Sequence, residues 1–450
     1  MRLLHTSDWH LGASIKQVDC HAEQDRFLSW LVDTLEERDI DVLVVAGDIF
    51  HYSNPSNAAR KLFYNFLSRC ARVDNLRKII IVAGNHDSPS GLEAPRELLG
   101  HLDVHVVGAL PRDEEEWPTC LVPVEGHDGE VELVVAAVPY VQEARLGVSL
   151  GDGGESELRE EYQEAFARLY RRLADEAAER WPQAALAATG HLTIYGKDDE
   201  PEKGDFHTGI HRTAKPAASM GEMGEPISDE ADHLRTIGTI EAMGPQIFDE
   251  RFQYVALGHI HRPMPVGGTR HIRYCGTPVA TSLDEDTPPR QVIQVDVQAG
   301  ASPADLPIEV VQVPKWREIF EIDGSEAEIN DMLAQMKSAA ELPPVVFLRV
   351  QLGPDDVAGV DRLSRFKEII DEHHEVGQRP VIVELRERYD VMVDGGEPIE
   401  KMPPIEELSY LDVFEAMYRR RHPDRGAPPE RLVAKFRQIE QLMHSNEEGE

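Results

Sequence analysis

The sequence predicts a layered α/β fold with a smaller α+β unit after it and amphipathic helices at the end. Three observations carry this. Residues 42–46 and 79–83 are continuous apolar runs, as expected for strands covered on both faces. The stretches before and between them have helical periodicity. Composition shifts after Asp284-Glu285-Asp286-Thr287-Pro288-Pro289, beyond which shorter strands and helices alternate.

Taken in order, residues 2–5 form a short apolar strand. Residues 23–37 form a helix with Phe27, Leu28, Leu31 and Leu35 on one face, and 58–71 form another after the strand 42–46. With the strand at 79–83 this is a βαβαβ series, which predicts right-handed crossovers in a layered core. Strands at 131–138 and 184–188 continue the series around a helix at 157–180. The segment 194–232, rich in Gly, Pro and charge, reads as a long functional loop. Residues 290–297 close the core, and 298–303 resemble a linker. Strands at 319–322, 345–350 and 381–385 then alternate with helices at 326–339 and 360–373. From residue 405 two apolar stripes follow, one of Leu411, Val413, Phe414, Met417 and Tyr418, the other of Leu432, Val433, Phe436, Ile439 and Leu442. They either pack on their own domain or dock a partner.

A chain of 450 residues, 41% hydrophobic, exceeds one ordinary core. No apolar run is long enough to span a bilayer, and the opening residues carry no secretory signal, so a cytoplasmic protein with no membrane partner is expected. Cys20, Cys70, Cys120 and Cys275 lie far apart without a C-x-x-C pair and read as buried thiols in a reducing compartment. The formal net charge of −36 speaks against nucleic-acid binding, because gripping phosphates needs local positive potential. Bound metal ions or a partner protein can supply it.

Five polar clusters sit where strands end: Ser7-Asp8-Trp9-His10, Gly47-Asp48-Ile49-Phe50-His51, Gly84-Asn85-His86-Asp87, Gly190-His191 and Gly258-His259-Ile260-His261. Ligands of open α/β sheets bind beyond the carboxyl ends of strands, so all five are expected to converge on one edge. The donors are oxygen and imidazole nitrogen with no thiolate, a set that suits manganese, iron or zinc. Two ions roughly 3.5–4 Å apart, bridged by one carboxylate, would hydrolyse a phosphoester without a covalent intermediate. Singly, each cluster is as well explained by a turn or a helix cap. Five in order at strand ends are not. His21, His101, His105, His127, His271, His373 and His374 fit no such context and read as surface or core histidines.

Together the clusters resemble the motifs of the calcineurin-like metallophosphoesterases. The opening Leu3-Leu4-His5-Thr6-Ser7-Asp8-Trp9-His10-Leu11-Gly12, with Ile237-Gly238-Thr239-Ile240 and Tyr274-Cys275-Gly276-Thr277-Pro278, resembles the SbcD family of nuclease subunits. The resemblance implies a metallophosphoesterase nuclease core over 1–298, a DNA-contacting α+β capping domain over 304–395 and a helical partner-docking segment over 400–450. It implies two divalent ions, manganese first among them. Asp8, His10, Asp48 and His261 would hold one ion, and Asp48, Asn85, His191 and His259 the other, with Asp48 bridging. His86 would contact the scissile phosphate. Asp87 would either orient His86 or cap the helix at Ser88-Pro89. His51 is a DNA-contact candidate, with a plain surface position as the alternative. The implied partners are an SbcC-like coiled-coil ATPase and DNA, with the chain as a homodimer within a heterotetramer. The implied activity is exonuclease on double-stranded ends and endonuclease on single-stranded or hairpin DNA, in repair and recombination.

A protein phosphatase is disfavoured, since His51 and Tyr52 stand where that branch carries an Asp-Arg pair, so its phosphate-gripping arginine is absent. A nucleotide phosphodiesterase and a mainly structural repair protein remain as alternatives, the latter opposed by the complete ligand set.

Overall fold

A computed structural model describes residues 1–142, 145–146, 155–196, 243–286, 289–353 and 361–389, with scattered positions between 418 and 436. The loop expected at 194–232 lies outside the described residues beyond Gly196, as does Ile237-Gly238-Thr239-Ile240. So do most of the residues expected to form two terminal helices. Residues 1–389 form one compact unit and 390–450 a second.

The strands of the first unit run in chain order as β1 (Arg2–Thr6), β2 (Ser14–Ile15), β3 (Val18–Asp19), β4 (Val42–Ala46), β5 (Lys78–Val82), β6 (Val104–Val107), β7 (Leu121–Glu125), β8 (Val131–Ala136), β9 (Ala185–His191), β10 (Tyr254–Gly258), β11 (Met264–Pro265), β12 (Ile272–Tyr274), β13 (Gln291–Asp296) and β14 (Ile308–Gln312). They build two six-stranded sheets, ordered β14-β13-β1-β4-β5-β6 and β11-β12-β10-β9-β8-β7. In the first, β1, β4, β5 and β6 are parallel and β13 and β14 return antiparallel. In the second, β8, β9, β10 and β12 are parallel. Strand β14 pairs with β13 beyond residues 298–303, so the chain does not leave the core at that linker-like stretch.

Alternation along β4 shows how the layers form. Val42 and Val44 face the second sheet, in one cluster with Val255, Leu257 and Ala187. Leu43 and Val45 face the other way, onto α1 (His21–Glu37) and α2 (Asn57–Cys70). Helix α2 begins where the Ser56 hydroxyl accepts the Ala59 N–H. Short helices α3 (Pro89–Glu93) and α4 (Arg96–Gly100) lead into β6. Helix α5 (Glu155–Arg180) covers the second sheet through Phe166, Leu169, Tyr170 and Leu173.

A three-stranded parallel sheet follows, β15 (Ile319–Gly324), β16 (Val345–Leu352) and β17 (Val381–Tyr389), with α6 (Glu326–Gln335) and α7 (Arg362–His373) in the crossovers. Ser325 and Glu328 close a capping box at the start of α6. Buried Arg362 joins Glu326 and Glu387 at 2.8 and 2.7 Å. The sheet packs on the main body: Ile319, Val345, Phe347 and Val383 share a cluster with α1 and α2 residues. Arg317 pairs with Glu23, Arg26 with Glu341 and Lys16 with Glu384 across the junction.

Candidate metal centre

The five clusters do not lie along one sheet edge. Those after β1, β4 and β5 belong to the first sheet and those ending β9 and β10 to the second, so the site forms where the two sheets' carboxyl ends face each other. Two glycines make the approach possible. Gly47 has φ +91°, and a Cβ there would lie 2.1 Å from His191 Nδ1. A Cβ on Gly258 would lie 1.9 Å from the Ala46 carbonyl oxygen, across the seam between the sheets.

Beyond their strands the first two loops keep hydrogen bonding in parallel. Asp8 N–H donates to Gly47 O, His10 N–H to Asp48 O and Leu11 N–H to Ile49 O, at 2.9–3.0 Å. Trp9, between two candidate ligands, turns into the helix layer, where Phe66 and Phe27 meet it edge-on and its Nε1 donates to Thr6 Oγ1. This leaves Asp8 and His10 pointing to the seam. Asp8, His10, Asp48 and His259 all have positive φ, four of the seven such non-glycine residues among those described. Left-handed backbone in non-glycine residues costs energy and collects at functional sites.

One oxygen or nitrogen from each of Asp8, His10, Asp48 and His261 falls within 4.8 Å of all the others. His10 Nε2 lies 2.9 Å from His261 Nε2 and 3.5 Å from Asp48 Oδ2. The same Asp48 Oδ2 lies 3.4 Å from His191 Nε2. Asn85 Oδ1 then joins His191 Nε2 at 3.0 Å and His259 Nδ1 at 3.1 Å. Asp48 therefore stands between the two groups that the sequence motifs separate. The other ring nitrogens are anchored. His191 Nδ1–H donates to Ala46 O at 2.9 Å, and His261 Nδ1 lies 2.5 Å from Glu285 Oε1. Backbone amides hold the carboxylates, His259 N–H on Asp8 and His86 N–H on Asp48, while the Ser7 hydroxyl also donates to Asp8.

The electrostatics are those of a buried anion–imidazole cluster. Burial would raise Asp48, but His191 and His10 hold it well below the usual carboxylate range. Burial opposes protonation of His191 and His261, yet Asp48 and Glu285 respectively bring each up to about 9. Burial first, with neighbouring histidine charge adding to it against the pull of Asp48, drives His10 well down and His259 to about 3. Buried carboxylates facing several imidazole nitrogens, with no Lys or Arg in the group among the described residues, form a donor set that fits divalent cations.

His86 sits beside this group, its ring 5.0 Å from His10 and stacked on His51 at 5.8 Å. Its Nδ1 lies 3.0 Å from the His51 carbonyl, which only accepts, so Nδ1 carries the proton and Nε2 is left for a substrate. His51 Nδ1 reaches His10 Nδ1 at 3.4 Å. Asp87 is placed as neither sequence reading had it. Its carboxylate accepts the N–H groups of Phe50, Ile49 and Gly84 at 2.9, 3.1 and 2.9 Å. It thus ties the loops carrying Asp48 and Asn85 together and does not meet His86. The helix cap at that point is Ser88, which accepts Gly91 N–H.

Sequence reasoning passed over two residues. Glu285 had only the composition shift around it to mark it. His5 bridges the sheets, with Nε2–H donating to Leu257 O at 3.2 Å and Nδ1 accepting from Tyr254 OH at 2.9 Å. The seven histidines set aside from the sequence are exposed or half-buried and stand apart from this group.

The sequence model of the calcineurin-like phosphoesterases matches residues 1–263. The SbcD component of the SbcCD nuclease from Rhodobacter capsulatus is 32% identical over 313 residues, 68% of this chain and 69% of that one. The chain belongs to the calcineurin-like phosphoesterases and, within them, to the SbcD family. The SbcD of Escherichia coli K12 is 29% identical over 79% of each chain, and that of Bacillus subtilis 27% identical over 97% of this chain and 96% of its own. An SbcD-family chain of this kind is a metal-dependent phosphodiesterase of the nuclease class, and its motif residues are those gathered at the seam. No helix among the described residues is long and apolar enough to cross a membrane.

Proposed function

We propose that this chain cuts DNA at the seam between its two sheets, with two manganese ions held by Asp8, His10, Asp48, Asn85, His191, His259 and His261. Asp48 carries the reading, because one of its oxygens faces His10 at 3.5 Å and His191 at 3.4 Å. Bound there, two divalent ions supply positive charge to a phosphodiester and acidify water. The chain's own residues do the rest. His86, its Nδ1–H held by the His51 carbonyl, presents Nε2 to the leaving oxygen, and as the imidazolium, protonated on both nitrogens, it gives the Nε2 proton to that oxygen. His51, half-buried at the mouth, contacts the DNA backbone. Asp87 holds the loops of Asp48 and Asn85 in register and takes no part in proton transfer. The substrate reading is exonuclease action on double-stranded ends and endonuclease action on single-stranded or hairpin DNA. The test is Asp48→Ala, assayed for bound manganese and for cleavage of single-stranded DNA. Both should be lost, and wild-type cleavage after metal is stripped and restored would overturn the assignment.

In this reading the core runs from residue 1 through β14, past the boundary at 298 expected from the sequence, the capping domain follows to 395 and the docking segment is 400–450, in a cytoplasmic homodimer within a heterotetramer. The partner is an SbcC-like coiled-coil ATPase, in keeping with relatives that are named as parts of an SbcCD nuclease. The net charge of −36 supports leaving much of the DNA grip to that partner. Phe414, Met417, Phe436 and Ile439 are the proposed anchors, and large apolar anchors often cost about 2 kcal/mol or more when truncated. Phe414→Asp with Phe436→Asp should abolish co-purification with the ATPase and leave the core's own cleavage intact. Unchanged binding would exclude these helices as the docking element.

A further inference from the structure

Glu285 lies in the short 3-10 turn Asp284–Asp286, far from every ligand motif in sequence. Its side chain is 7% exposed. One oxygen receives His261 Nδ1–H at 2.5 Å. The other receives the Thr281 N–H at 2.7 Å and the Thr281 hydroxyl at 3.0 Å, so the carboxylate is fixed from its own loop. The same loop holds the His261 main chain, because Thr277 N–H donates to His261 O at 3.1 Å. His261 needs such a brace. It follows β10 in an irregular turn, and its side chain is 24% exposed where those of His10 and His191 are 2% and 0%. The two halves of the centre are thus supported differently. His191 leans on a neutral carbonyl, that of Ala46, and His261 on a carboxylate.

We propose that Glu285 is a positioning residue for His261. It fixes the ring's rotamer and tautomer so that Nε2 faces Asp8, His10 and Asp48, and it acts on the ion held by that group but not on its neighbour. The proposal rests on the two-metal reading. A carboxylate behind an imidazole ligand orients the ring and raises its basicity, and losing such a partner typically weakens metal affinity about 10–100-fold.

The test is manganese binding to the full-length, metal-stripped chain, followed by calorimetric titration and by counting bound ions. The wild type should take up two ions. Glu285→Gln should keep one at wild-type affinity and bind the other about 10–100-fold more weakly. In a His261→Asn background Glu285→Gln should add no further loss, whereas in a His191→Asn background it should still weaken the remaining ion. A structural role alone would give additive losses in both backgrounds. Wild-type affinity for both ions in Glu285→Gln, or an additive loss with His261→Asn, overturns the proposal. Should Glu285→Gln fail to fold, Thr281→Val, which removes one support of the carboxylate, takes its place. It should weaken the same ion in the same direction, and unchanged affinity overturns the proposal. A wild type that binds fewer than two ions would instead refute the two-metal reading itself.

Discussion

Replacing Asp87 by alanine tests the loop clamp without touching a ligand. The carboxylate is buried and accepts three backbone N–H groups, from Ile49, Phe50 and Gly84. An orphaned buried donor costs ~1–3 kcal/mol, so three at a middle value of ~2 amount to roughly 6 kcal/mol. Against this stands the cost of keeping the group charged. Burial first, and Asp48 second, push Asp87 up to about 6 from an ordinary 3.8. At ~1.4 kcal/mol per pH unit, that offsets about 3 kcal/mol at pH 7. Asp87→Ala should therefore lose about 3 kcal/mol. The assay is urea unfolding of the metal-free chain at pH 7, followed through its main transition. Asp87→Asn should be distinguishable. Its one oxygen can serve Ile49 and Gly84, but its amide then confronts the Phe50 N–H, a donor against a donor. Since the loops tied together carry Asp48 and Asn85, Asp87→Ala should also bind manganese more weakly, although no ligand is removed. A loss under ~1 kcal/mol with unaltered manganese binding would refute the clamp. Loss of turnover alone, with stability and metal both intact, would return Asp87 to a chemical role.

His86→Ser should retain both ions and lose about 10²–10⁴-fold in turnover on single-stranded DNA, measured by metal content beside cleavage rate; loss of an ion would make His86 a ligand. His5 bears on acid stability. Burial, with Arg273 adding to it against the Leu257 hydrogen bond, lowers its pKa to about 3 from 6.5. Between pH 6.5 and 3 the unfolded chain binds a proton that the folded chain does not. Stability present above pH 6.5 is thus lost as pH falls through that window, by up to ~1.4 kcal/mol per pH unit from this residue. His5→Gln should be less stable at pH 7 yet show a shallower decline from pH 6 to 4 in urea midpoints, and parallel declines would exclude His5 as a source of the acid sensitivity.

The elements and the chemistry were legible in the chain before it folds. Apolar runs marked β4 and β5 because a strand covered on both faces has no polar side. The ligand types stood out because each sits in a short motif at a strand end, where covalent adjacency brings donor and turn together. The strands β15, β16 and β17 showed in their alternation with helices. Strand partnership did not. Nothing local to Gly190-His191 or Gly258-His259 says that β9 and β10 build a second sheet facing the first, and the short runs of β6 and β7 left no periodic signal. What stands behind the ligands emerged with packing alone. That His5 spans the sheets, that Asp87 takes three amides from two loops and that Glu285 meets His261 all depend on which buried donors and acceptors are left without a partner after the chain has packed. Such partners are fixed by geometry between distant segments, and a one-dimensional pattern does not record it.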